Sequence, residues 1–219
     1  MDYFDIIGPV MIGPSSSHTA GAARIGRVAH DLLGETPVQA DIGLFGSFEK
    51  TYEGHGTDRA VVGGLMGMNV DDPRLRSALR LADEAGMAVT FHPVALREAH
   101  PNTIVLRIAG ASGRELTVRA ASVGGGRVMI QELNGMEVNF SGETDTLIIR
   151  HLDAPGAIAR VTSVLAGAQI NIATMRVFRK KAGGEAIMAL ELDKLPDEEI
   201  VPALKKLQGI SDVTLLKKR

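Results

Sequence analysis

Apolar residues recur at helical spacing just after a hydroxyl-rich segment near the start of the chain. The apolar face consists of Ile25, Val28, Ala29, Leu32 and Leu33, and this spacing predicts an amphipathic helix. Residues 13–19 precede it and read Gly-Pro followed by Ser15, Ser16, Ser17, His18 and Thr19. Hydroxyl side chains at such a position cap a helix, and the free N–H groups of the first turn suit a carboxylate or a phosphate. The pattern predicts a capped helix, with or without an anion at its start.

A second glycine-bounded corner has a similar design. An alternating strand ends in Gly-Ser, and a short polar segment with His55 between two glycines then leads into apolar residues 60–66. Thr57 or Asp58 is the expected N-cap of a helix there. Because His18 and His55 lie in matching settings, we expect them to share a polar pocket, where an imidazole serves as an acid–base or carboxylate-binding group. The alternative is that both are surface or capping residues.

The rest of the first two thirds of the chain reads as strands and helices. Asp72-Pro73 precedes a helix that carries Leu75, Ala78 and Ala82 on one face, and a strand follows at residues 87–92. A hairpin is predicted from residues 103–109 and 115–121, and His92 and His100 precede prolines at loop corners, which predicts structural roles. Polar, turn-forming residues 139–145 predict a domain boundary.

A triple glycine follows the second strand of that hairpin. Gly124, Gly125 and Gly126 come after a serine and precede an apolar segment at residues 128–130. Such a sequence predicts either a nest of N–H groups for an anion or a flexible bulge. It lacks the strand-then-helix context of a dinucleotide-binding fingerprint, which makes a dinucleotide enzyme the weakest of the readings.

The last third of the chain has the order βαββαβ. The pattern predicts strands from residue 146, at 170–179, at 185–193 and at 213–216, with helices at 157–166 and 196–207. This order predicts an antiparallel sheet with two helices on one face. A free sheet edge favours pairing with a second copy of the chain.

Composition and charge exclude several classes of protein. The net charge of −2 offers no field for nucleic acid, and no apolar stretch is long enough to span a bilayer. The N-terminus lacks the basic-then-apolar pattern of a signal peptide, so we expect a cytoplasmic protein. Residues 1–12 form an apolar, amphipathic segment that we expect to pack against the rest of the chain or against a partner. The chain has no cysteine, which excludes disulfides and thiolate ligands, and no metal ligands are expected on it.

Two segments of the last third resemble an ACT domain. They are residues 152–159, Leu-Asp-Ala-Pro-Gly-Ala-Ile-Ala, and residues 167–175, Gly-Ala-Gln-Ile-Asn-Ile-Ala-Thr-Met. The resemblance covers residues 146–219 and implies a ferredoxin-like βαββαβ fold. It implies a small-ligand site, often for an amino acid, with Asp153, Gly156 and Asn171 as effector contacts. The alternative is a domain that only dimerises.

Four motifs in the first part occur together, at residues 12–19, 46–47, 54–58 and 122–126. With the ACT-like segment, the set resembles the beta chain of iron–sulfur L-serine dehydratases. The resemblance implies a two-domain protein of mixed α/β and α+β class. Residues 1–142 form a mixed α/β domain like the allosteric substrate-binding domain of some phosphoglycerate dehydrogenases, and residues 146–219 form the ACT domain.

The resemblance also implies an activity. The family converts L-serine to pyruvate and ammonia in amino-acid catabolism and gluconeogenesis, with a [4Fe-4S] cluster as Lewis acid. Such a cluster needs cysteine thiolates, so the resemblance implies that a separate alpha chain holds it and that this chain is half of an enzyme. His18 and His55 are then the candidate catalytic residues. The candidate substrate- or anion-binding residues are Ser15, Ser16, Ser17, Thr19, Thr57, Gly124, Gly125 and Gly126.

Two alternatives remain open at this point. The same pocket could be a remote allosteric anion site rather than part of the catalytic centre. The whole chain could also be a stand-alone amino-acid sensor without a catalytic partner.

Overall fold

The computed structural model describes residues 10–218, so most of the apolar segment predicted at residues 1–12 lies outside the described residues. The chain divides into two compact units, the first ending at Gly135 and the second beginning at Met136. The domain limits taken from the sequence, 1–142 and 146–219, stay a prediction.

The helices of the first unit lie between the hydroxyl-rich segment and the second strand. A π-helical turn, Ser16–Ala20, leads directly into the long helix. The helices are α1 (Gly21–Leu33), α2 (Ser47–Thr51), α3 (Thr57–Leu65) and α4 (Ala78–Glu84), and a 3₁₀ turn, Pro73–Ser77, precedes the last of them. The predicted first helix is confirmed, with Ile25 and Leu33 fully buried.

The strands of the first unit are β1 (Pro37–Gly46), β2 (Ala88–Pro93), β3 (Asn102–Gly110), β4 (Glu115–Gly124) and β5 (Arg127–Leu133). Their order is β2-β1-β3-β4-β5. β1 and β2 are parallel, and the other neighbours are antiparallel. The hairpin predicted from residues 103–109 and 115–121 is confirmed by the pairing of β3 with β4.

Glycines bring helices α1 and α3 into backbone contact. A methyl group on Gly26 would lie within 3.0 Å of the carbonyl oxygen of Val61, and one on Gly64 would lie as close to the carbonyl of Ala23. At the start of α1, a methyl group on Gly21 would clash with the side chain of Ser122 on β4. Backbone packing therefore fixes the position of α1, and with it the position of the hydroxyl-rich turn.

The second unit begins with the strand β6 (Met136–Phe140), and the predicted βαββαβ order follows it. The elements of that order are β7 (Thr146–Leu152), α5 (Ala157–Gly167), β8 (Ile172–Arg179), β9 (Glu185–Leu192), α6 (Ile200–Lys205) and β10 (Ile210–Leu216). The antiparallel sheet has the order β10-β7-β9-β8. Its core contains Leu147, Ile149, Val161, Leu165 and Met188, all fully buried. The predicted class, a mixed α/β domain followed by an ACT domain, is confirmed.

Several local predictions were wrong. The residue that precedes α3 is Gly56, at a left-handed φ of 66°, so Thr57 and Asp58 are inside the helix and neither caps it. Pro73 and the Asp72 carboxylate, which accepts from the Arg74 N–H, shape a 3₁₀ turn before regular helix begins at Ala78.

Two further elements differ from the sequence pattern. The last helix is shorter than residues 196–207 and starts only at Ile200. The short helix α2 and the strand β6 were not predicted, and β6 extends into the polar segment that was expected to be a boundary.

Candidate functional site

The hydroxyl-rich segment folds as a wide turn that presents His18. The Ser15 hydroxyl accepts from the His18 N–H at 3.1 Å, which is the capping role that the sequence predicted for a serine here. The Ser15 carbonyl accepts from the Thr19 N–H at 2.8 Å and from the Ala20 N–H at 3.3 Å. These bonds close the π-helical turn and fix the backbone on both sides of His18.

Hydroxyl groups lie next to both ring nitrogens of His18. Nε2 lies 2.9 Å from the Ser47 hydroxyl, at the start of α2. Nδ1 lies 3.1 Å from the Ser17 hydroxyl and 3.4 Å from that of Ser15. The ring contacts Phe48 edge to face, with centroids 5.3 Å apart. Because only one nitrogen of a neutral imidazole carries a proton, one neighbouring hydroxyl can donate to His18 while another accepts from it.

His55 lies against His18, as the matching sequence settings predicted. The ring centroids are 4.8 Å apart in an edge-to-face arrangement. Burial lowers the pKa of His18, and the positive charge of a protonated His55 lowers it further. His18 is therefore held in its neutral form, which is the form that accepts a proton.

The backbone of His55 is fixed by two hydrogen bonds, but its ring has an unpaired nitrogen. The Thr19 hydroxyl donates to the His55 carbonyl at 3.0 Å, and the His55 N–H donates to the Thr51 carbonyl at 3.0 Å. The ring atom Nδ1 is buried without a hydrogen-bond partner among the described residues. Buried polar atoms without a partner are rare in proteins, so this nitrogen is a candidate hydrogen-bonding group for a ligand.

A cavity of about 300 Å³ lies beside His55. Its polar lining consists of Thr19, His55, Arg59 and Arg76, and its apolar walls include Ile12, Pro14, Ala60 and Leu75. No carboxylate of the described residues lines it. His18 does not line this cavity, so the imidazole pair borders the cavity through His55.

Other predicted binding residues are placed in different ways. Thr57 is fully buried, and its hydroxyl has no partner within residues 10–218. The Ser122 hydroxyl, which lies against Gly21 at the start of α1, is also buried without a hydrogen-bond partner among the described residues. Ser16 is the first residue of the π-helical turn.

The triple glycine closes the turn between β4 and β5. Gly124, Gly125 and Gly126 have φ values of 99°, 61° and 76°, all in the left-handed region that favours glycine. The carbonyl of Gly126 accepts a hydrogen bond from Arg24 on α1 at 2.9 Å. The turn does not line the cavity, and its role as an anion nest stays a prediction.

The predicted effector residues of the second unit are bonded to their own chain. Asp153 accepts from Arg179 at 2.6 Å and from the Gly183 N–H at 3.0 Å, and these bonds lower its pKa. The Asn171 side chain donates to Asp193 at 2.6 Å. Gly156, at a left-handed φ of 81°, precedes α5.

A cluster of metal ligands is not found in the part of the chain that the structure describes: residues 10–218 contain no group of three or more His, Asp or Glu arranged to hold an ion. The chain also has no cysteine. The residues of this chain therefore do not fit a [4Fe-4S] cluster, which thiolates hold. None of the helices described at residues 10–218 has the length and apolar character needed to cross a bilayer.

His18 and His55, with the hydroxyls of Ser15, Ser17 and Ser47, form a cluster that we call the histidine corner. The fold and this corner define a class of protein in which a mixed α/β unit precedes an ACT domain. Residues 2–87 match the serine dehydratase beta chain family, and residues 146–209 match the ACT domain family. The chain is 46% identical to the probable L-serine dehydratase beta chain of Bacillus subtilis over 211 residues, 96% of each chain. It is 37% identical to the L-serine dehydratase beta chain of Peptoniphilus asaccharolyticus over 202 residues, 92% of this chain and 91% of that one. The chain belongs to the L-serine dehydratase beta chain family, as the sequence motifs predicted.

Longer relatives contain this region as a part. The L-serine dehydratase of Mycobacterium bovis is 32% identical over 155 residues, which are 60% of this chain but 33% of that protein. The D-3-phosphoglycerate dehydrogenase of Bacillus subtilis is 30% identical over 196 residues, 89% of this chain and 37% of that protein. Regions similar to this chain therefore occur in proteins named as beta chains and within longer proteins.

Proposed function

We propose that this chain is the beta subunit of a heteromeric L-serine dehydratase that converts L-serine to pyruvate and ammonia together with an alpha chain. The observation that carries the proposal is the 46% identity to a probable L-serine dehydratase beta chain over 96% of both chains. A longer relative named L-serine dehydratase, without a chain designation, aligns with 60% of this chain over 33% of its own length.

The [4Fe-4S] cluster of the proposed enzyme is held by the alpha chain. The support for this is chemical, because this chain has no thiol to ligate iron. The protein is then active only as a complex, and the contribution of the beta chain is made by its own polar groups.

His18 is the group best suited to move a proton. Its lowered pKa keeps the imidazole neutral near pH 7, and the Ser47 hydroxyl at 2.9 Å orients Nε2. His55 lies beside it, and the hydroxyls of Ser15 and Ser17 complete the corner. In the complex, this corner faces the substrate and holds or transfers a proton there.

The ACT domain has a regulatory or dimerising role in this proposal. β8 is an edge strand with the partly exposed apolar residues Met175 and Val177. An open strand edge with apolar side chains favours pairing with a second copy. Asp153, Gly156 and Asn171 stay the candidate effector contacts.

The test is expression of this chain with and without the cysteine-bearing alpha chain encoded in the same genome. We expect the two chains to co-purify, iron and sulfide to be present only in the complex, and serine to be converted to pyruvate only by the complex. Turnover by this chain alone would contradict the proposal. Failure to co-purify, with no turnover in any mixture, would favour the stand-alone sensor, whose support is the combination of a basic cavity with an ACT domain.

A further inference from the structure

We propose that Ser47 is a serine nucleophile with His18 as its general base, and that the pair transfers acyl groups from small carboxylic esters to water. In the dehydratase proposal Ser47 only orients His18, whereas here the Ser47 oxygen itself forms a bond to the substrate. This activity belongs to the present chain alone and does not rest on the proposed function.

Ser47 has the neighbour that a serine nucleophile requires. Its hydroxyl lies 2.9 Å from Nε2 of His18, although the two residues are 29 positions apart in the chain. Acyl-transfer enzymes activate serine by placing its hydroxyl within hydrogen-bond reach of an imidazole, which a third group orients. Ser47 and His18 are both partly exposed, so a small ester can reach them.

The hydroxyls of Ser15 and Ser17 are the orienting groups of the imidazole. They lie 3.4 Å and 3.1 Å from Nδ1 of His18. A proton on Nδ1 can be donated to either oxygen, which leaves Nε2 as the acceptor for the Ser47 hydroxyl. Burial lowers the pKa of His18, and the charge of a protonated His55 lowers it further, so the ring is neutral and can accept that proton.

The backbone presents Ser47 at a sharp corner between a strand and a helix. β1 ends at Gly46, which has a φ of 64° and a ψ of −115°, and α2 begins at Ser47. A methyl group on Gly46 would lie 2.7 Å from the carbonyl oxygen of Pro101, which also accepts from the Ser47 N–H at 2.8 Å. The serine nucleophiles of α/β-hydrolases lie at a strand-to-helix turn of this kind.

Phe48 and Thr51 keep the serine and the imidazole in place. The side chain of Phe48 is fully buried, and its ring lies edge to face against that of His18, with centroids 5.3 Å apart. The Thr51 hydroxyl donates to the Ser47 carbonyl at 2.8 Å. The nucleophile and the base are therefore positioned before a substrate arrives, which lowers the entropic part of the barrier.

The reaction needs only the ester and water. The Ser47 oxygen forms a bond to the carbonyl carbon of the ester while its proton passes to Nε2 of His18. The bond from that carbon to the alcohol oxygen then breaks, and the imidazolium gives the proton to the departing oxygen. A water molecule, deprotonated by the same nitrogen, hydrolyses the acyl-serine and releases the acid. We expect slow turnover, because neutral hydroxyls stabilise the imidazolium less than the carboxylate of a hydrolase triad does.

The experiment measures acetylation of the 219-residue chain by 4-nitrophenyl acetate, through intact mass, peptide mapping and release of 4-nitrophenolate. Ser47→Ala removes the nucleophile, and His18→Gln removes the base. Ser112→Ala is the matched control, because Ser112 is an exposed serine whose hydroxyl is bonded to Glu35 rather than to an imidazole. We expect an acetyl group on Ser47, none at this position in Ser47→Ala, labelling slowed about 100-fold in His18→Gln, and no change in Ser112→Ala.

Two outcomes would overturn the proposal: the wild-type chain has no acetyl group on Ser47, or His18→Gln is acetylated there as fast as wild type. Circular dichroism checks that the variants are folded. If His18→Gln is not folded, the pH profile of the wild-type chain decides. Labelling of Ser47 should rise as His18 loses its proton and then level off, whereas a continued rise with hydroxide concentration would exclude His18 as the base.

Discussion

The histidine corner of the first unit and the predicted effector contacts of the second unit differ in how their polar groups are satisfied. In the first unit, His55 Nδ1 and the Thr57 hydroxyl are buried without partners among the described residues. In the second unit, Asp153 is bonded to Arg179 and to a backbone N–H. Asn171 is bonded to Asp193.

In the second unit, the side-chain bonds of Asp153 and Asn171 join parts of the fold to one another, whereas the unpaired atoms of the first unit make no such link. A carboxylate can accept more than two hydrogen bonds, so the bonds to Arg179 and Gly183 leave Asp153 able to contact an effector. The second unit also has buried unpaired atoms, His151 Nε2 and Arg160 Nε. Neither residue was among the predicted effector contacts, and Asp153, Gly156 and Asn171 stay a prediction.

The largest expected effect is that of His18→Ala on turnover by the assembled enzyme. If the corner acts on the substrate, kcat falls about 100-fold, which is typical of the loss of a general acid or base, while co-purification and iron content are unchanged. His92→Ala is the matched control, because His92 is an exposed histidine on β2 paired with Asp41. A normal kcat with altered cooperativity would identify the corner as an allosteric anion site instead.

The next effect concerns the packing that positions the corner. In Gly64→Ala the new methyl group would meet the backbone of α1, so we expect a loss of about 1–3 kcal/mol of stability, measured by urea denaturation followed by circular dichroism. Gly167→Ala in α5 is the control, because nothing lies within 4 Å of its added methyl group. It should be neutral or stabilising by up to about 1 kcal/mol. Equal effects at both glycines would refute the close contact of α1 with α3.

The pKa of His18 can be followed by NMR titration of the ring. We expect a midpoint below the ordinary histidine value of about 6.5, because burial is the first cause of the lowering and His55 the second. Since the folded pKa is the lower one, the stability that neutral His18 contributes is complete above about pH 6.5 and is lost as the pH falls through the folded pKa.

Two internal comparisons make this titration decisive. His55→Gln should raise the midpoint of His18 but leave it below the ordinary value, since burial remains. The pKa of His92 should instead lie above the ordinary histidine value, because the Pro93 carbonyl and Asp41 raise it. A midpoint of His18 at or above that of His92 would contradict the buried setting of the corner.

The smallest effect is expected at the predicted effector contacts. Asp153→Ala removes an exposed bond to Arg179, and exposed ion pairs contribute little to stability. We expect neither the thermal midpoint nor kcat of the assembled enzyme to change measurably. Loss of a serine or other amino-acid effect on the complex, with kcat intact, would support Asp153 as an effector contact.

The sequence was sufficient for elements with strong local patterns. The alternation and turn glycines of residues 103–121 predicted the hairpin, and the order of patterns after residue 146 predicted the βαββαβ unit. The matching contexts of His18 and His55 predicted a shared corner, and the rings are 4.8 Å apart. Their catalytic roles stay predictions.

The groups that complete the site could not be found from local pattern. Ser47 was visible only as a Gly-Ser corner, and its bond to His18 joins residues 29 positions apart in the chain. Arg59, in α3, and Arg76, in the 3₁₀ turn before α4, both line the cavity although they lie apart in the chain. Such arrangements depend on packing between distant parts of the chain, which the periodicity of apolar residues does not reveal.

The glycine contacts of α1 have a practical consequence for anyone redesigning this protein. Main-chain atoms and Ser122 hold α1 in place. The side chains of residues 15–18, before its first turn, therefore contribute little to its position. Redesign of the turn can therefore leave the packing of α1 untouched, provided that residue 15 keeps a hydroxyl for the His18 N–H.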